Sequence, residues 1–258
     1  MQVDLPIALL RLDAVSVDFG GLHALRDVSF SVEPGEIVGL IGPNGAGKTT
    51  VFNVICGFVK PTQGRVAFPS SGRHNLRPSQ LAGAGVARTL QGVGLFAHCS
   101  VLENVMAGGH HRPGGTFADA LVATPRGVRS ERQLRHDALE LLERLGVADH
   151  AARFPSAIPY GVAKKVSLAR ALMGDPKLLL LDEPASGLDE AELEQFAAEI
   201  TSLRAQMGIL LVEHDMEFVM PLVDRLVVLN FGEVIATGPP AEVRHHAEVV
   251  AAYLGVDE

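Results

Sequence analysis

The chain has no long run of Lys or Arg, no apolar stretch of membrane-spanning length, and only two cysteines in 258 residues. Each absence excludes something. A formal charge of -8 with no basic cluster argues against non-specific attraction to nucleic acid or anionic lipid. Cys56 and Cys99 lack CxxC spacing, which suits a reducing cytosol better than a disulfide framework, and both read as small buried hydrophobes. The opening Met1-Gln2-Val3-Asp4-Leu5-Pro6 has neither the basic start nor the apolar core of a signal peptide. Nowhere do about 18 apolar residues follow one another, so no segment is expected to span a bilayer. The sequence predicts a soluble chain that reaches a membrane only if another protein holds it there. At 47% hydrophobic it can bury the core of one large domain with a subdomain.

What is present is organised around Gly42-Pro43-Asn44-Gly45-Ala46-Gly47-Lys48-Thr49-Thr50. This stretch fits G-x-x-x-x-G-K-[ST], the phosphate-binding P-loop. Its glycines permit tight, partly left-handed backbone, so that N–H groups can point inward at phosphate oxygens. Lys48 can set an ammonium against the β- and γ-phosphates, and the Thr49 hydroxyl can ligate Mg²⁺. A helix is expected to open at Lys48, adding its positive end to the anion site. Glu36 to Ile41 reads as a buried parallel strand leading in, and Thr50 to Ile55 as the helix leading out. Strand, loop and helix in this order predict nucleotide binding.

The second strong signal is Leu178-Leu179-Leu180-Leu181-Asp182-Glu183-Pro184. Four apolar residues followed by two acids describe a central parallel strand with carboxylates at its C-terminal end, where α/β sheets place ligands. Asp182 can hold Mg²⁺ through water, and Glu183 can polarise the water that attacks a γ-phosphate. A further buried strand, Gly208 to Val212, ends in Glu213-His214-Asp215. A histidine at the end of a third central strand of a nucleotide-binding protein is a site candidate. The adjacent pairs His110-His111 and His245-His246 lack ligand spacing and read as solvated surface.

Elsewhere the pattern sets the frame. Leu9 to Phe19 and Val28 to Val32 alternate as half-buried antiparallel strands, with Gly20-Gly21 turning between them. Phe19 reads either as a ring stacking on adenine or as a core aromatic beside Val15 and Val17, and period 2 favours the core. Gly64 to Phe68 and Gly85 to Leu90 read as further strands, with Gln91 at the end of the latter; a Gln carbonyl there can reach Mg²⁺ or an attacking water. Between Val101 and Met173 the pattern is helical. Leu134, Ala138, Leu141, Leu142 and Leu145 form one stripe, Arg112 to Ser130 reads as a loop with at most one short helix, and a helix is expected over Ala163–Leu172, stopped by Pro176. Leu193, Phe196, Ile200 and Leu203 share one face of a helix that follows Ser186-Gly187-Leu188-Asp189. Arg225 to Ala236 reads as a closing hairpin, and Pro239 to Leu254 as terminal helices.

Taken together, the P-loop, Gln91, a Gly-containing loop opening a helix, Leu-Leu-Leu-Leu-Asp-Glu-Pro, Ser-Gly-Leu-Asp and Glu-His-Asp resemble the nucleotide-binding domain of ATP-binding-cassette (ABC) transporters over nearly the whole chain. Within that family, Phe19-Gly20-Gly21-Leu22, Ala87 to Gln91, Leu95-Phe96, Val101 to Val105, Thr124-Pro125-Arg126 and Ala252-Tyr253-Leu254-Gly255 resemble the longer ATPase subunit of the branched-chain amino-acid importers. The resemblance implies an α/β P-loop NTPase (ABC ATPase): residues 1–91 and 177–258 as RecA-like core with an antiparallel β subdomain, and 92–176 as an inserted helical subdomain. It makes Phe19 the adenine-stacking residue, Gln91 the Q-loop residue, Glu183 the catalytic carboxylate, Asp189 the D-loop acid and His214 the switch histidine. ATP and Mg²⁺ are the implied cofactors. An integral-membrane permease docking near Leu95 and Phe96, a second ATPase subunit and, indirectly, a solute-binding protein are the implied partners. The implied place is the cytoplasmic face of a bacterial membrane.

One departure matters. The family's Leu-Ser-Gly-Gly-Gln signature loop lends a Ser hydroxyl and Gly amides to the γ-phosphate held by the opposite subunit. Here it reads Ile158-Pro159-Tyr160-Gly161-Val162. Pro159 removes both the hydroxyl and an N–H, and Val162 replaces the Gln; Gly161 and the positive end of the following helix remain. This weakening favours a heterodimer over a homodimer. It also motivates a competing reading as a regulatory subunit with low turnover. Transport of urea or lipopolysaccharide, or a soluble non-transport ABC ATPase, are further alternatives. The last lacks the tandem cassettes or coiled-coil insertions it would carry, and no Asn-Lys-x-Asp motif supports a GTPase.

Overall fold

A computed structural model describes residues 7–89, 92–109 and 125–254. Two sheets divide the work. The first is antiparallel: β1 (Leu10–Phe19), β2 (Leu22–Val32), β4 (Gln63–Phe68) and β5 (Arg73–His74), in the order β2-β1-β4-β5. The second has six strands. They are β3 (Ile37–Ile41), β6 (Val86–Arg88), β7 (Leu178–Asp182), β8 (Gly208–Val212), β9 (Arg225–Asn230) and β10 (Glu233–Gly238). Their order is β10-β9-β3-β8-β7-β6, with β10 antiparallel to β9 and the other pairings parallel.

The period-2 pleat sorts the central strands between two cores. Val38, Leu40, Leu180, Leu210, Val212, Val227 and Leu229 face one way, into a core shared with the antiparallel sheet and with α1 (Lys48–Ile55). Ile37, Ile41, Leu179, Leu181, Ile209, Leu211 and Val228 face the other way, onto helices. With both faces covered, β3, β7 and β8 are buried at every residue, which is why they read as continuous apolar runs.

The helical layer contains α2 (Val101–Ala107), α3 (Pro125–Arg144), α4 (Tyr160–Leu172), α5 (Glu190–Leu203) and α6 (Met216–Leu222). The short α7 (Pro240–Val243) and α8 (Ala247–Leu254) close the chain. Helix α2 packs on both α3 and α4. The α3 stripe is real: Ala138, Leu142 and Leu145 are buried.

Several expectations need correction. Helix α3 begins at Pro125, inside the stretch read as a loop to Ser130. Its early turns carry Arg129, Glu131, Arg132 and Arg135, good helix formers that bury little, so no apolar stripe announces them. Helix α4 begins at Tyr160 rather than Ala163, with Pro159 at the N-cap, and it ends at Leu172, before Pro176. Strand β6 (Val86–Arg88) starts one residue late, because Gly85 is left-handed at φ +75°; Leu90, expected at its end, lies outside the described residues. Cys56 is buried as expected, but Cys99 is only partly covered. His245 and His246 are exposed, as read; His110 and His111 lie outside the described residues.

Candidate functional site

The P-loop joins the C-terminal end of β3 to the N-terminus of α1. Gly42 and Gly47 are there for space as well as for φ. A Cβ on Gly42 (φ +153°) would lie 2.1 Å from the Leu229 carbonyl oxygen, and one on Gly47 (φ +105°) 2.9 Å from Leu25. The loop is braced from outside by the β9–β10 turn, where the Gly232 N–H donates to the Ala46 carbonyl at 3.0 Å. Pro43 and Thr50 are half-buried, Ala46 is buried, and Asn44, Gly45 and Thr49 are exposed. The Lys48 ammonium is folded over the loop and donates to the carbonyls of Gly42 at 2.6 Å and Pro43 at 2.8 Å. Burial lowers its pKa, and the Glu183 carboxylate partly offsets that.

Strands β3, β8 and β7 are neighbours, so their C-terminal ends bring the P-loop, the Glu213-His214 turn and Asp182-Glu183 to one edge of the sheet. Asp182 is buried and accepts a hydrogen bond from Arg88 at 2.7 Å. Glu183 sits just past β7 in left-handed backbone, φ +47°, with its N–H donating to the Val212 carbonyl at 2.9 Å. The His214 side chain is 62% exposed, with Nδ1 3.7 Å from the buried Glu213 carboxylate. Burial raises the pKa of Glu213, while N–H donors from Ala185, His214 and Asp215 counteract it. Asp189 caps α5, accepting from the Glu192 N–H at 2.8 Å. Gln91 lies outside the described residues.

Phe19 is the clearest departure from periodicity: its ring is 48% exposed rather than in the core. It shares an open depression of about 690 Å³ with His23, Gly47, Thr50, Phe231 and Glu233. At the start of α4, Gly161 is buried and Val162 packs against the helical core, while no side chain caps the helix.

The region after β6 presents another surface. Leu95, one of the two residues expected beside a permease, packs against the helical core, whereas Phe96 is 55% exposed. The loop is pinned by the fully buried Asn104. Its Oδ1 accepts the Phe96 N–H at 2.7 Å, and its Nδ2 lies within 3.1 Å of the Phe96, Cys99 and Ser100 carbonyls. Arg170 lies over the Phe96 ring at 5.6 Å. A groove of about 440 Å³ runs beside them, lined by Pro78, Leu81, Val86, Phe96 and Arg170.

Sequence reasoning missed Arg88, which pairs with Asp182 and lies over the rings of Phe52 and Phe58. It also missed Lys164, which is 6% exposed. Both could have been flagged, because a charge inside an apolar segment needs a buried partner.

Against known proteins, the family model described as ABC transporter matches residues 25–186. The model described as branched-chain amino acid ATP-binding cassette transporter matches residues 233–258. The high-affinity branched-chain amino acid transport ATP-binding protein LivG of Salmonella typhimurium is 41% identical over 96% of this chain and 98% of its own length. The corresponding BraF protein of Pseudomonas aeruginosa is 38% identical over the same shares. Among solved structures, a nucleotide-free ATP-binding cassette from an ABC transporter superposes with a TM-score of 0.81 at 30% identity, covering 96% of this chain and 99% of that one. The ADP conformation of another such cassette gives 0.80 at 31%, with the same coverage.

Proposed function

This chain belongs to the ABC transporter family as an ATP-binding and ATP-hydrolysing subunit, and from that premise we propose that it powers the import of branched-chain or related amino acids through a membrane permease. The observation that carries the site assignment is the convergence of the P-loop, Asp182-Glu183 and His214 at adjacent strand ends. The substrate class rests on the relatives, whose names specify branched-chain amino acid transport.

In this reading the P-loop amides and the start of α1 hold the phosphates, and Lys48 exchanges its two carbonyl contacts for phosphate oxygens. Phe19 stacks on the base beside Gly47 and Thr50. Glu183 polarises the attacking water, and His214, hydrogen-bonded at its backbone to Glu213, contacts the γ-phosphate. Thr49 and Asp182 offer hard oxygen donors that fit Mg²⁺, with Gln91 as a third ligand by resemblance. The cation would neutralise charge on the phosphates. Because Arg88 holds one Asp182 oxygen, Asp182 keeps its other oxygen for a water-mediated contact.

The chain works as one cassette, with 92–176 as its helical lobe, and a partner subunit faces its P-loop. No described helix is long and apolar enough to cross a membrane; in this reading the permease holds the chain at the cytoplasmic face. Pulling down the permease and a second ATPase from native membranes, then assaying reconstituted vesicles for leucine, isoleucine and valine uptake, tests the whole reading. Uptake of urea or export of lipopolysaccharide in place of amino acids would replace the substrate class.

Phe96 and the groove beside it are the surface we assign to the permease. Phe96→Glu should abolish coupled transport and permease-stimulated hydrolysis. Its melting midpoint should stay close to wild type, since an exposed substitution usually costs within about 0.5 kcal/mol. A variant that unfolds instead would assign Phe96 to packing.

A further inference from the structure

Helix α4 is fastened to the segment that follows β7 at four of its residues. The Tyr160 ring lies against Gly187, where a Cβ would come within 2.7 Å of it, and the Glu192 carboxylate lies against Gly161. Lys165 pairs with Glu199 at 2.7 Å. The fourth contact is the unusual one. Lys164 is buried, and its ammonium donates to the main-chain carbonyls of Glu183 at 2.9 Å and Pro184 at 3.0 Å, with the Tyr160 ring 5.6 Å away.

A buried ammonium is costly unless charge and hydrogen bonds compensate it. Compensation comes from Glu213 first and Glu183 second, which oppose the lowering of the Lys164 pKa by burial. The fully buried Glu213 carboxylate also accepts the Ala185 N–H at 2.6 Å and the His214 N–H at 3.1 Å. The tripeptide Glu183-Pro184-Ala185 is therefore held by Lys164 on its carbonyls, by Glu213 at its far amide and by the Val212 carbonyl at its near one. Glu183 has positive φ, a conformation that a residue with a side chain keeps only when its surroundings over-determine it.

We propose that Lys164 is a positioning residue for ATP hydrolysis: by holding the Glu183 and Pro184 carbonyls it fixes the left-handed turn that aims the Glu183 carboxylate, and it ties that carboxylate to the start of this chain's own α4. Displacement of α4 by a partner subunit is then felt at Glu183 through one side chain. The proposal rests on Glu183 being the group that polarises water, so the experiment separates the two.

In the full-length chain, assembled in its complete transporter, Lys164→Met, Lys164→Arg and Glu183→Gln are compared with wild type. The readouts are single-turnover hydrolysis, ATP Kd, melting temperature and deuterium uptake at the amides of residues 183–187. Lys164→Met should slow hydrolysis about ten- to hundredfold, leave Kd within about twofold and raise deuterium uptake at that turn. Lys164→Arg, which keeps charge and donors, should recover most of the rate. Should Lys164→Met not fold, Lys164→Gln gives the same reading, because its shorter amide cannot reach both carbonyls. Wild-type hydrolysis by Lys164→Met beside an inactive Glu183→Gln overturns the positioning role and leaves the Glu183 assignment standing. An active Glu183→Gln removes that assignment itself. Parallel losses in rate, Kd and melting temperature, without rescue by Arg, reduce Lys164 to a structural residue and also overturn the proposal.

Discussion

Glu183→Gln is expected to keep ATP binding while hydrolysis falls about a hundred- to ten-thousandfold, the span that a positioned acid–base group supplies. The substitution removes one proton-accepting oxygen and changes little else. Phosphate binding is assigned to the P-loop and α1, on a different strand, so the Kd for ATP should hold. The backbone of residue 183 is fastened through its own N–H and carbonyl, which Gln also possesses, so the turn should survive. Equilibrium binding of a fluorescent ATP analogue and single-turnover phosphate release measure the two effects separately. Turnover close to wild type would sink the assignment.

The second large effect is an asymmetry between two lysines. In the proposed heterodimer each ATP lies between one subunit's P-loop and the other's signature loop. On this chain's signature side, Pro159 has no N–H, α4 has no side-chain cap, and Val162 is turned into the helical core. On its P-loop side Lys48 retains its place beside Glu183. A missing hydrogen bond to a charged group costs about 1.5–3 kcal/mol, tenfold or more in rate. Lys48→Ala in this chain should therefore abolish turnover of the reconstituted complex, whereas the matching substitution in the partner should cost far less. Steady-state ATPase rates of the two complexes decide it. Equal losses would refute the asymmetry of the two sites, and full hydrolysis by this subunit alone would refute the need for a partner's signature loop.

Much of the frame was legible because the physics is local. A strand buried on both faces must be apolar throughout, so β3, β7 and β8 announced themselves, and the P-loop glycines marked where β3 hands over to α1. Phe19 was misjudged by parity. It continues the alternation of Val15 and Val17, but β1 runs past the edge of the core to a hairpin end where Phe19 pairs with Leu22, itself exposed. Leu95 and Phe96 are adjacent apolar residues with opposite fates, and what separates them is the loop that Asn104 pins from a helix away. Arg88 with Asp182, and Lys164 with the Glu183 carbonyl, are pairs 94 and 19 residues apart. No periodicity links such residues; only the strand order and the docking of α4 do.

That strand order has a consequence for how the chain is made. Strand β3 leaves the ribosome long before its two sheet neighbours, β8 and β9: Ile37 aligns with Ile209, and Ile41 with Val228. Until β8 and β9 have been synthesised, the strand that carries the P-loop has open edges on both sides. At about 5–20 residues per second this leaves an apolar, unpaired segment waiting for seconds to tens of seconds, whereas β1, β2 and β4 can close their antiparallel sheet on nearby sequence at once. Nascent chains stalled before Gly208 should accordingly show a protease-resistant sheet of β1, β2 and β4 and a cleavable P-loop, and chains released past Gly238 should show both protected. The nucleotide loop is translated well before the strands that frame it.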